Sequence, residues 1–149
     1  MTEVAMQELV ITRVFDAPRE LVYRGFVDPD QLAAWFGPVG WSVPRDTVSV
    51  NARVGGHQRF TMVDDTDPGM TSPVDATLTE VMENELLVGE QRVDFGAGPV
   101  VFRLRLEFHD EGGLTRLLLR QGPYGPEVAS GAREGWNSSF TKLDALLAG

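Results

Sequence analysis

The residues able to do chemistry in this chain are few and widely spaced. His57 and His109 are its only histidines, and each sits on the polar side or at the end of a run of alternating residues. Neither has a second ligand at metal spacing, and the His-Glu-x-x-His pattern of the zinc proteases is absent, so no metal site is expected. Cysteine is missing altogether, which removes disulfides, thiolate metal centres and cysteine nucleophiles together. Asp64, Asp65 and Asp67 lack the spaced ligands and closing Glu of a calcium loop and fit a solvated turn. No serine lies in a Gly-x-Ser-x-Gly frame, and Gly122-Pro123-Tyr124-Gly125 has the wrong context for a phosphate loop. No cofactor is therefore expected.

Two further groups could touch a ligand. Arg103, Arg105, Arg116 and Arg120 alternate with apolar residues and can meet Glu80, Glu90 and Glu107 across neighbouring strands, which predicts a solvated outer face. An arginine turned inward would instead suit a planar anion. The aromatics Trp35, Phe36, Trp41, Phe60, Phe102, Trp136 and Phe140 come from separate segments and either fill a core or line a cleft.

Those segments have to be placed by their periodicity. Glu8 to Phe15 is rich in β-branched and aromatic residues and is expected to be a strand. Asp16-Ala17-Pro18 then offers a helix start, with Leu21, Val22 and Phe26 at helical spacing. Asp28-Pro29-Asp30-Gln31 offers a second, with Asp28 as cap and Gln31 completing a capping box. Leu32, Trp35 and Phe36 follow as a stripe that Gly37-Pro38 ends. From Asp46 to Gln121 the period changes to two. Six strands are expected there: Thr47 to Ala52, Arg59 to Val63, Ala76 to Val81, Leu86 to Glu90, Val100 to Phe108 and Leu117 to Leu119. A turn falls at Val54-Gly55-Gly56, and the acidic stretch from Asp64 is assigned to a loop. From Pro126 the helical period returns, with Val128, Ala132, Trp136, Phe140, Leu143 and Leu147 on one stripe; a helix of about 22 residues would run ~33 Å, long enough to cross a sheet.

The expected fold is therefore α+β: a curved seven-stranded antiparallel sheet, two short helices after the first strand, and a long C-terminal helix over the sheet. At 149 residues the chain fits a single domain, residues 1–149. Its 13 Lys and Arg against 22 Asp and Glu give a net charge of −9, which repels nucleic acid and anionic membrane surfaces. With no apolar run long enough to span a bilayer and no signal-peptide pattern at Met1-Thr2-Glu3-Val4, a cytoplasmic location is expected.

Several local words sharpen this. Ile11-Thr12-Arg13-Val14-Phe15-Asp16-Ala17-Pro18, Asp28-Pro29 followed by Leu32-Ala33-Ala34-Trp35-Phe36-Gly37-Pro38, Arg53-Val54-Gly55-Gly56 and Gly135-Trp136 stand in this order. In element order and in these words the chain resembles the bacterial AHSA-like branch, related to activators of the heat-shock chaperone ATPase, of the START/SRPBCC superfamily with its helix-grip fold. The resemblance implies a cavity between sheet and last helix and often a homodimer, and it brings no common catalytic motif. Chaperone interaction is a partner it also implies. The loop from Asp64 to Pro73 and the Arg-rich outer face depart from its pattern.

The leading expectation is a binder of a small hydrophobic or aromatic molecule, contacted by Trp35, Trp41, Phe60, Met62, Phe102, Trp136 and Phe140. Gly131 and Gly135, each costing ~1 kcal/mol relative to Ala inside a helix, are expected to leave it space or to allow close packing. Two alternatives stay open: an aromatase/cyclase- or lyase-like enzyme using the same cavity, and a chaperone-related interaction module.

Overall fold

The computed structural model describes residues 6–94 and 98–149, with the side chains of residues 93 and 94 left aside. β1 (Gln7–Phe15) leads into α1 (Arg19–Val27) and α2 (Pro29–Trp35). β2 (Trp41–Ser42), β3 (Ser49–Asn51), β4 (His57–Asp64), β5 (Thr71–Met82), β6 (Leu86–Asp94), β7 (Pro99–Glu111) and β8 (Leu114–Tyr124) follow, and α3 (Pro126–Ala148) closes the chain. The sheet is antiparallel throughout, in the order β1-β8-β7-β6-β5-β4-β2 with β3 also on β4. It is an open helix-grip sheet, its concave face covered by α1, α2 and α3.

Local chemistry explains most boundaries. Asp28 ends α1 by donating its N–H to Arg24 O and starts α2 by accepting from the N–H groups of Asp30 and Gln31. With the Asp28 N–H already bonded, the reciprocal bond expected of Gln31 is not needed. Asp16 does not cap α1, because the helix starts two residues later with Pro18 at the N-cap and no side-chain acceptor. α2 stops at Phe36, and Gly37 follows at φ +97°, where its lack of a Cβ matters. In the β3–β4 turn, a Cβ on Gly56 would lie 2.0 Å from Asn51 O, so this position accepts only glycine.

Three differences from the expected strands have physical causes. β2 is too short to show an alternation, and it exists because Trp41 and Ser42 pair with Asp64 and Val63. It brings the strands among the described residues to eight. β3 ends at Asn51, short of Ala52, because the turn into Gly55-Gly56 begins there. β5 begins at Thr71, not Ala76, and so contains Pro73. Proline is tolerated there because β5 pairs with β6 only from Thr77↔Glu90 onward. Asp75 sends its N–H away from β4 to the Gln91 side chain, so the backbone of residue 73, two positions back, also faces that open side.

α3 is held toward its C-terminal end by two side-chain anchors. Arg13, on the inner face of β1, makes a two-bond fork to Asp144 at 2.7 and 2.6 Å, with its guanidinium over the rings of Phe15 and Phe140. Arg13 is thus committed to α3. Lys142 donates to the carbonyls of Gly37 and Trp41, and burial pushes its pKa down. In the first turn Val128 points out, 55% exposed, and Ala129 takes the buried place.

Candidate functional site

Alternation places one residue in two on the concave face: Gln58, Phe60 and Met62 on β4, Ala76 and Leu78 on β5, Leu87, Gly89 and Gln91 on β6, Phe102, Leu104 and Leu106 on β7, Leu119 and Gln121 on β8. Opposite them run Ala132, Gly135, Trp136 and Ser139 of α3. Between the two layers lies a cavity of about 680 Å³. It extends to the β5/β6 fork, where the ladder between these strands stops at Thr77↔Glu90 while β5 stays on β4 and β6 on β7. Both limbs of the fork, Ser72 to Ala76 and Gly89, Gln91 and Arg92, line the cavity.

Of the seven residues expected to meet a ligand, Phe60, Met62, Phe102 and Trp136 line this cavity. Trp35, Trp41 and Phe140 are not among its lining residues. Trp35 and Phe140 are fully buried within the main packed cluster, the former with its indole N–H on Gly25 O at 2.8 Å. Trp41 is half-buried in β2 and offers its carbonyl to Lys142. Phe36 joins the lining at the end of α2. Gly135 borders the void and a Cβ there would touch nothing within 4 Å, whereas Gly131 is exposed on the outer side of α3.

The sequence reading missed the polar part of the wall. Gln121 accepts from Tyr124 Oη at 2.8 Å and from Trp136 Nε1 at 2.7 Å, both on its Oε1. Gln91 Oε1 accepts from the Asp75 N–H across the fork at 3.2 Å, and Gln58 Nε2 donates to Phe26 O at 2.8 Å. The signal was present, since each glutamine occupies the apolar side of its strand's alternation. Burial pushes the Tyr124 hydroxyl up to about 12, so it stays protonated. The charged residues that line the cavity, Asp75 and Arg92, are both exposed, and Asp75 is bonded to Arg59.

The late arginines face outward, as expected. Arg103 bonds Glu90, Arg105 meets Glu80 and Glu107, Arg116 bonds Glu111 and Arg120 bonds Glu8. The Arg105 bond, with His109 beside it, holds the Glu107 carboxyl below its ordinary range. Among the described residues no three His, Asp or Glu side chains gather at metal-holding distance. None of the described helices is long and apolar enough to cross a membrane.

An antiparallel sheet gripping one long helix, with a void between them, defines the helix-grip class. Residues 16–148 match the family described as Activator of Hsp90 ATPase homolog 1-like protein, and the chain belongs to that family. Among solved structures, protein CV1439 from Chromobacterium violaceum superposes with a TM-score of 0.83 at 24% identity, covering 94% of this chain and 96% of that one. Protein NE0264 from Nitrosomonas europaea gives 0.79 at 26% identity, over 95% and 94%. The AHSA1 protein from Silicibacter pomeroyi gives 0.79 at 25% identity, over 95% and 98%. A search of the curated proteins returns no match.

Proposed function

We propose that the protein binds a small hydrophobic or aromatic molecule in the cavity between the sheet and α3. The observation that carries this is the void of about 680 Å³, within the ~300–1,000 Å³ typical of ligand sites and walled by Phe36, Phe60, Phe102 and Trp136. A stretch of interior this large and left open gives up the contact energy that close packing supplies elsewhere in the molecule, and an apolar ligand would restore it. Binding is favoured over proton-transfer chemistry by the groups present. Among the described lining residues the ionisable ones are Tyr124, kept neutral, and the exposed Asp75 and Arg92. Among them is no buried carboxyl, imidazole or ammonium group.

A thermal-shift and tryptophan-fluorescence screen against aromatic ketones and phenols, flavonoids, sterols and fatty acids tests the reading. A ligand at 100 times its dissociation constant is expected to stabilise the protein by ~2.7 kcal/mol. It should also change the emission of Trp136, whose ring is part of the wall. If no compound moves the melting transition, the binder reading is wrong, and the interaction module implied by the family's name takes its place.

A further inference from the structure

The three glutamines in the cavity wall are locked in orientation by partners that can play only one role. An indole N–H can only donate, so the atom of Gln121 facing Trp136 Nε1 at 2.7 Å must be the oxygen. The Asp75 backbone N–H likewise fixes the oxygen of Gln91, and the Phe26 carbonyl, which can only accept, fixes the nitrogen of Gln58. The other half of each amide is left over. No described group accepts from Nε2 of Gln121 or of Gln91, or donates to Oε1 of Gln58. Among the described residues, no buried side-chain nitrogen or oxygen lacks a partner, so these three atoms are open to space. All three residues line the cavity.

We infer that the site reads an uncharged ligand by its oxygens: Gln121 and Gln91 donate N–H to carbonyl-type acceptors, and the Gln58 carbonyl takes a hydroxyl donor. This rests on the binder reading above and narrows it to hydroxylated aromatic ketones and their kin. A carboxylate is disfavoured inside, because the inner wall offers it neutral amides and no cation, while Arg92 lies exposed at the fork. A hydrocarbon would leave the amide groups stripped of water and unpaired.

The test uses three probes on the full chain, with the phenols protonated: 4-hydroxybenzophenone, 4-benzylphenol, which replaces its carbonyl by CH₂, and 4-benzoylbenzoate. The ketone is expected to bind about five- to tenfold more tightly than the methylene analogue, the scale of one net hydrogen bond, and more tightly than the carboxylate. Gln121→Glu keeps an acceptor for Tyr124 and Trp136 but removes the donor, and Gln91→Glu does the same for the Asp75 N–H. At least one of these variants, confirmed as folded by its melting transition, should abolish the ketone's advantage over 4-benzylphenol. Equal affinity for ketone and methylene compound, or tightest binding of the carboxylate, overturns the inference. If none of the three binds while the screen yields other apolar ligands, the inference falls and the binder reading stands. If nothing binds at all, both fall.

Discussion

Under α3 the two ends of the concave face are built from the same residue types and come out differently. At one end rings interlock: Phe15 of β1 lies edge-on to Phe140 of α3 at 5.3 Å, Phe26 of α1 to Trp35 of α2 at 5.1 Å, and Phe26 to Phe108 of β7 at 5.7 Å. At the other end the rings pair around the rim of the void. Phe102 packs on Tyr124 of the neighbouring strand and Phe36 on Phe60, each at 4.6 Å, and the middle stays open. The difference teaches that aromatic content does not make a cavity. A void appears where facing layers present small or polar groups, here Gly135 on α3 against Gly89, Gln91 and Gln121 on the sheet.

The largest expected effect follows at the filled end. Phe140 is fully buried and touches Phe15, Trp35 and Trp136. Phe140→Ala is therefore expected to cost ~3–5 kcal/mol in urea denaturation. A loss below ~1 kcal/mol, the scale of surface changes, would break the comparison at its packed end.

Enlarging a ring separates the two ends more sharply. Phe102 and Phe108 lie on the same face of β7 and are both buried, but Phe102 borders the void and Phe108 does not. Phe108→Trp is expected to lose ~1–3 kcal/mol by overpacking, while Phe102→Trp should keep the wild-type melting transition and weaken the binding of any ligand found in the screen. Equal destabilisation by the two changes would mean that the void closes in solution.

Much of this was legible in the sequence. The period-two run located β3 to β8 and turned the arginines of β7 and β8 outward, and the stripe from Ala132 to Leu147 placed α3, because both signals need only residue type and spacing. Depth along a face was not legible. Trp35 and Trp136 are both tryptophans on helical stripes, yet one is sealed against Gly25 and the other borders the cavity. What separates them is which layer lies opposite, and that depends on strand register and on the Arg13–Asp144 fork, a contact between residues 131 positions apart. The fork between β5 and β6 was hidden for the same reason, since the departure of two strands leaves no composition signal beyond Pro73.

The smallest expected effect comes from adding a single methyl group to each end. Gly25 in α1 and Gly135 in α3 are both helix-interior glycines, so replacement by Ala offers each about the same backbone gain, ~0.5–1 kcal/mol. Their surroundings differ. A Cβ on Gly25 would sit 3.2 Å from Leu143 Cδ1 and 3.4 Å from Trp35 Nε1, and Leu143 is itself fully buried, so the neighbours have little room to move. A Cβ on Gly135 would meet nothing within 4 Å. Gly135→Ala is therefore expected to raise stability by most of that gain, at the expense of a little cavity volume and some ligand affinity. In Gly25→Ala the steric cost should cancel the backbone gain or exceed it. Melting curves of the two variants in parallel give the packing difference directly, since the backbone contribution is common to both. A Gly25→Ala protein as stable as Gly135→Ala would show that the filled end yields as readily as the open one, and the contrast between a core and a binding cavity under one helix would be lost.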